Sequence, residues 1–199
     1  MATTISPKAN VFIIESLKLQ DEKNERFEGR FLSQILHLGE KETLYYYIRT
    51  TRELEEIMRL FGKSNYRYLH ISCHGSTTSL STTLDEISFK ELGQICQPYL
   101  NNKRLFISAC ETVNGKLAAE LFSSSGCLSI IGPNKDIFFD DAAIAWATFY
   151  HMVFKENPRG MTERIILRAL KTIKDAYGVK MRYYAKDDKA INGFGLRGD

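Results

Sequence analysis

Tyr66-Arg67-Tyr68-Leu69-His70-Ile71-Ser72-Cys73-His74-Gly75 is an aromatic and aliphatic run that ends in a histidine and a glycine. Its composition predicts a buried β-strand. Successive side chains of a strand point to opposite faces, so Leu69, Ile71 and Cys73 share one face, while His70 and His74 share the other. A second run, Leu105-Phe106-Ile107-Ser108-Ala109-Cys110-Glu111-Thr112, repeats the pattern. Leu105, Ile107 and Ala109 fall on one face, and Cys110 comes to the tip on the opposite parity. If the two strands are parallel neighbours, the His74 imidazole and the Cys110 thiol meet at the carboxyl edge of one sheet.

Working outward, strand-like and helix-like segments alternate along all 199 residues. Strands are expected at Val11–Glu15, Thr43–Arg49, Tyr66–His74, Arg104–Cys110 and Cys127–Ile131, with a last one at Ile191–Leu196. Helical spacing places Phe27, Phe31, Ile35 and Leu38 on one face of a helix over Arg26–Leu38. Thr50 and Glu53 form a capping box ahead of Leu54, Ile57, Met58 and Phe61. Further helices are expected over Ser88–Leu100, Asn114–Ser125, Asp140–Phe154 (burying Ala143, Trp146, Ala147, Tyr150 and Phe154) and Thr162–Tyr177 (burying Ile166, Ala169, Leu170, Ile173 and Tyr177). Alternation of this kind predicts a mostly parallel sheet with helices on both faces, an α/β fold. In such sheets ligands bind beyond the carboxyl ends of the strands. No repeat or Pro/Gly/Ser-rich linker divides the chain, so one domain over residues 1–199 is expected.

Composition narrows the functional classes. Hydrophobic residues make up 44% and charged residues 26%, and the net charge is +3, without a block of like charge to suggest nucleic acid or a membrane surface. The polar start and the short apolar run Val11–Ile14 do not form a signal peptide or a membrane span. A cytoplasmic protein with free thiols at Cys73, Cys96, Cys110 and Cys127 is therefore expected. Cys73 and Cys127 lie in apolar strand patterns and Cys96 in a helix, which reads as core packing. No glycine-rich phosphate loop occurs and no carboxylate or cysteine stands at ligand spacing from His70 or His74, so neither cofactor nor metal is expected.

A thiol with a pKa of about 8.5 is mostly protonated at neutral pH, and a neighbouring imidazole raises its reactive fraction. Gly75 has no Cβ, so its N–H can approach a substrate carbonyl and share an oxyanion with the N–H of Cys110. His74-Gly75 after one strand and Ser108-Ala109-Cys110-Glu111-Thr112 after the next resemble the CHAT subgroup of caspase-like cysteine peptidases. The resemblance continues through Gly115–Leu121, Ile130-Ile131-Gly132-Pro133, Asp140-Asp141-Ala142-Ala143, Phe149-Tyr150, Arg168-Ala169-Leu170, Gly193-Phe194 and Gly198-Asp199, covering the chain from about Tyr66 to its end. The Trp-Pro pair that the family often carries near Asn134–Asp136 is absent. The resemblance implies a three-layer αβα sandwich with a sheet of about six strands. It also implies a cysteine endopeptidase with His74 as base and Cys110 as nucleophile, acting on a protein or peptide substrate. A regulatory protein partner and a role in prokaryotic, antiviral defence or cell death belong to the same implication.

Asp136 and Asp141 stay open between two readings. They could line an acidic pocket that selects lysine or arginine, or they could be first-turn acids of the helix that Asp140 caps. The Ser76–Thr83 loop could be plain solvated chain or could border the substrate cleft. A caspase-like module that binds a partner without catalysis has the same sequence signature.

Overall fold

The computed structural model describes residues 8–123 and 125–198, so Asp199 of the terminal Gly-Asp match lies outside the described residues. In chain order the elements are β1 (Lys8–Glu15), α1 (Leu19–Lys23), α2 (Glu28–Leu38), β2 (Thr43–Tyr47), α3 (Thr51–Lys63), β3 (Tyr66–Ser72), β4 (His74–Gly75) and β5 (Ser79–Ser81). They continue with β6 (Glu86–Ser88), α4 (Phe89–Cys96) and a 3-10 turn (Gln97–Tyr99), then β7 (Arg104–Ser108), α5 (Gly115–Phe122) and β8 (Ser129–Pro133). Last come α6 (Phe139–Glu156), α7 (Glu163–Tyr177), β9 (Met181–Lys186) and β10 (Phe194–Arg197).

The central sheet has the order β10-β9-β8-β7-β3-β1-β2. β2, β1, β3, β7 and β8 run parallel, and β9 and β10 continue antiparallel from β8. From β1 the chain first moves out to β2, then returns to β3 on the other side of β1. That reversal opens a crevice at the carboxyl ends of β1 and β3. Helices cover both faces. Phe12, Ile14, Leu69, Ile71, Leu105 and Ile107 pack against α3, α4 and α5. Val11, Ile13, Tyr68, Phe106 and Ile131 pack against α2, α6 and α7. The mostly parallel α/β sandwich expected from alternation is thus present, with seven central strands rather than about six.

Local chemistry sets the helix boundaries. The Thr50–Glu53 capping box is formed, with the Glu53 N–H donating to Thr50 Oγ1 at 3.2 Å and the Thr50 N–H to Glu53 Oε2 at 3.0 Å. Ser88 and Glu91 make a second box at α4, and Thr162 caps α7, which ends at the left-handed Gly178. Asp140 is not a cap. Phe138 holds that position without a side-chain bond, and Asp140 and Asp141 fall in the first turn of α6, where the helix dipole favours them.

Several packing expectations shift. Phe31 and Leu38 are exposed, and α2 instead buries Glu28, Gly29, Leu32, Ser33 and Leu36. Polar Glu28 and Ser33 can turn inward because each finds hydroxyl partners there. On α6 the buried face runs through Ala142, Ala145, Trp146, Phe149, Tyr150, Val153 and Phe154, rotated from the expected one that included Ala143 and Ala147. Tyr177 is exposed near the end of α7. The Ser76–Thr83 segment is not plain loop: β4, β5 and β6 form a small antiparallel sheet that folds back toward Arg49 and Ser16. No helix among the described residues is long and apolar enough to cross a membrane.

Candidate active site

β3 and β7 are parallel neighbours in the register Leu69↔Leu105, Ile71↔Ile107 and Ser72↔Ser108. Pairing continues past the strand ends, where the Cys73 N–H donates to the Ser108 carbonyl at 3.0 Å. His74 and Cys110 follow directly, and both line one small pocket of about 60 Å³. Its other linings are Glu28, Cys73, Ser108, Ala109, Ile137, Phe138, Phe139 and Ala142. The parallel register of β3 and β7 thus carries both His74 and Cys110 to one pocket at the carboxyl edge of the sheet.

His74 Nε2 lies 2.8 Å from Asp21 Oδ2, and the Asp21 side chain is only 10% exposed. A carboxylate can only accept, so Nε2 carries the proton in this contact and Nδ1 is left as the basic nitrogen of the neutral ring. The Phe139 ring meets the imidazole edge to face, with centroids 5.6 Å apart. Asp21 sits on the five-residue α1, which could not hold position alone. Its neighbours fix it: Arg26 donates to Asp21 Oδ1 at 3.0 Å, and the Arg26 guanidinium lies 5.4 Å from the Phe139 ring centre. Glu22, on the same helix, accepts from Tyr47 Oη at 2.5 Å and from Arg49 at 2.7 Å. Sequence reading did not single out Asp21. It stands 53 positions from His74 in a segment too short to show a period.

Cys110 is half-buried. Its thiol faces the backbone of Ile137, whose N–H donates to Sγ at 3.5 Å and whose carbonyl accepts from it at 3.6 Å. Burial pushes the thiols of Cys73, Cys96 and Cys127 each up to about 12, which holds them protonated and inert. Cys110 and Cys73 both line the small pocket, and Cys96 and Cys127 are fully buried away from it. Beyond Cys110 the chain turns sharply, with Glu111 in the left-handed region at φ 56°. Thr112 Oγ1 donates back to the Cys110 carbonyl at 2.9 Å.

Gly75 is fitted against this turn. A Cβ there would lie 2.2 Å from Thr112 Oγ1 and 3.1 Å from the Cys110 carbonyl oxygen. The Ser76 N–H bonds the Ser79 carbonyl at 2.9 Å. By the alternation of antiparallel ladders, the next pair, Gly75↔Leu80, is then a non-hydrogen-bonded one. The Gly75 N–H is thus left outside the ladder, close to the Cys110 turn.

A buried polar seam runs beneath the pocket. Glu15, Ser72 and Ser108 stand in one row across β1, β3 and β7. Glu28 Oε2 accepts from Ser108 Oγ at 2.8 Å and from Ser72 Oγ at 3.2 Å. Glu15 accepts the Gly29 and Arg30 N–H groups at 2.7 and 3.2 Å, closing the first turn of α2, and Tyr45 Oη at 2.7 Å. Gly29 permits this approach, since a Cβ would lie 3.2 Å from Glu15 Cβ. Burial raises the Glu15 carboxyl to about 7 against these bonds, and the nearby Glu28 charge adds to the rise. His70, fully buried, holds Nδ1 3.2 Å from Tyr150 Oη. Asp136 is exposed, Asp141 is half-buried in the first turn of α6, and neither lines the pocket. The carboxylate that does is Glu28. No group of three or more His, Cys, Asp or Glu side chains able to hold a metal occurs among the described residues.

The fold is caspase-like. A structure of pro-sf-caspase-1 matches with a TM-score of 0.54 at 14% identity, over 87% of this chain and 82% of that one. A secreted C11 cysteine protease from Bacteroides thetaiotaomicron, iotapain, matches with a TM-score of 0.55 at 10% identity, over 91% of this chain and 67% of that one. A secreted C11 cysteine protease from the same organism with an irreversible peptide inhibitor gives 0.56 at 9% identity, over 89% and 66%. No protein-family model matches the chain, and no curated protein matches it in sequence.

Proposed function

We propose that the chain is a cysteine endopeptidase of the caspase-like, CHAT type. The observation that carries this reading is one pocket shared by His74 and Cys110 at the carboxyl ends of adjacent parallel strands, with Asp21 on the far nitrogen of the imidazole. His74 Nδ1 takes the Cys110 proton, and Sγ attacks the scissile carbonyl carbon. The Gly75 and Cys110 N–H groups receive the developing oxyanion. As the C–N bond breaks, His74 returns the proton to the leaving amine. Water, deprotonated by the same nitrogen, then cleaves the thioester and restores the thiol. Asp21 acts as a positioning residue: it fixes the tautomer and steadies the imidazolium, as the acid of a Ser-His-Asp triad does.

The two bonds between Cys110 Sγ and the Ile137 backbone, and the narrowness of the pocket, favour a latent state in which the 134–138 segment lies over the nucleophile. This supports switching by a regulatory protein partner that draws the segment outward. A role in prokaryotic defence or cell death rests on the family resemblance alone. The same closed pocket also suits a second reading, a caspase-like module that binds a protein without cutting it.

The test is peptide-bond cleavage by the wild type, Cys110→Ala and His74→Ala across a peptide panel. The account expects cleavage by the wild type and losses of at least about 10³-fold in both variants. Full retention of cleavage in either variant removes the dyad, and wild-type cleavage of no peptide or protein substrate favours the binding module.

A further inference from the structure

We propose that Glu28 selects the substrate residue, and that the pocket beside Cys110 takes a lysine side chain on the acyl side of the scissile bond. This assignment rests on the proteolytic reading above and adds its substrate class.

Three observations point to it. First, the pocket that holds the thiol has one carboxylate in its lining, Glu28, and no lysine or arginine. Its walls are otherwise mainly apolar, from Ala109, Ile137, Phe139 and Ala142. Apolar walls with one buried acid among them match a side chain that has an aliphatic stem and a cationic end. Second, Glu28 is 6% exposed, and its Oε1 is buried without a hydrogen-bond partner. The nearest cation-forming atom, His70 Nε2, is 3.7 Å away and is itself unpartnered. A buried carboxylate oxygen left in this state is short of one donor. Third, Glu15 lies near enough for its carboxyl to feel the Glu28 charge. Glu28 thus stands beside a second buried acid behind the pocket, which adds to the demand for a positive group near it.

The geometry favours lysine over arginine. Glu28 Oε2 already takes the Ser72 and Ser108 hydroxyls, which leaves one free oxygen. An ammonium needs a single acceptor, whereas a guanidinium fork is matched by two. The pocket volume of about 60 Å³ also favours the slimmer group. The four-carbon stem enters as the outer wall at Ile137–Phe139 moves away, and that wall is tied to Cys110 by weak sulfur bonds.

The experiment uses four peptide chloromethylketones that share one sequence and differ in the reactive residue: lysine, norleucine, arginine and aspartate. Intact-protein mass spectrometry and peptide mapping read the rate of adduct formation at Cys110. The expected result is lysine at least tenfold faster than norleucine, with arginine between them and aspartate slowest. In Glu28→Gln, the ratio of the lysine rate to the norleucine rate should fall to about one. Equal or faster reaction of norleucine in the wild type overturns the Glu28 assignment and leaves the nucleophile standing. Failure of every probe to label Cys110 overturns the proteolytic reading and this one with it. Comparing lysine with norleucine in the wild type needs no variant, so the proposal stays exposed even if Glu28→Gln folds poorly.

Discussion

The two faces of the central sheet are built from the same strands and carry different chemistry. Toward α3, α4 and α5 the strands present Phe12, Ile14, Leu69, Ile71, Leu105, Ile107 and Ala109, an apolar column from end to end. Toward α2 and α6 each column starts apolar and turns polar at the carboxyl end: Val11 and Ile13, then Glu15; Tyr68, then His70 and Ser72; Phe106, then Ser108. His74 and Cys110 extend those polar columns by one more step. The dry face supplies the hydrophobic free energy. The other face gives up part of it to hold acids, hydroxyls and an imidazole where solvent is scarce, and buried polar groups of that kind are stable only when partnered. The gradient along the strands thus runs from core to site.

Substitutions can break that contrast. Phe61 is fully buried on the dry face, edge to face with Phe12. Phe61→Ala should cost about 3–5 kcal/mol by chemical denaturation and leave the labelling rate of Cys110 in the folded fraction unchanged. On the polar face the main lever is pH. The Glu15 carboxyl titrates near 7 in the fold against 4.5 as its ordinary value, so the folded protein binds the extra proton between them. Stability should therefore fall as pH rises from about 4.5 to about 7, by on the order of 3 kcal/mol at most, and level off above. Glu15→Gln should flatten that slope. A slope of opposite sign in the wild type, absent from the variant, would contradict the assignment.

Asp21→Asn should reduce cleavage by roughly 10–100-fold through loss of a charge-assisted bond, with the pH profile of kcat/KM displaced and partial recovery in Asp21→Glu. A merely structural role would lower activity without moving the profile. The smallest contrast is between neighbours on β7. Ser108→Ala removes a hydroxyl from Glu28 and Ile107→Val trims a dry contact, and each should cost about 1 kcal/mol. Ser108→Ala alone should change the reaction rate at Cys110.

The parity of two strands was enough to place His74 and Cys110 at the same edge of the sheet, because a buried parallel strand keeps its alternation whatever surrounds it. Helix faces were less legible. Phe31 and Leu38 look like core by spacing, but α2 is oriented by Glu28 and Ser33 bonding inward, a choice made by residues 10 to 80 positions away. The strand character of Met181–Lys186 is not legible locally, because it depends on β8 and β10 flanking it. Asp21 and Glu28 could not be read as site residues from local pattern, since each acts through partners across the fold. One signal was present: Glu15 ends an apolar strand on the same parity as Ile13, and an acid at that place marks a polar end to the column.

The central claim is that His74 activates Cys110 and no other cysteine. Its most direct test is the rate of iodoacetamide alkylation at each of the four cysteines near neutral pH, in the wild type and in His74→Ala. The account predicts that Cys110 reacts far faster than Cys73, Cys96 and Cys127 and slows markedly in His74→Ala. Alkylation of Cys110 no faster than Cys96, or a rate unchanged without the imidazole, would contradict it.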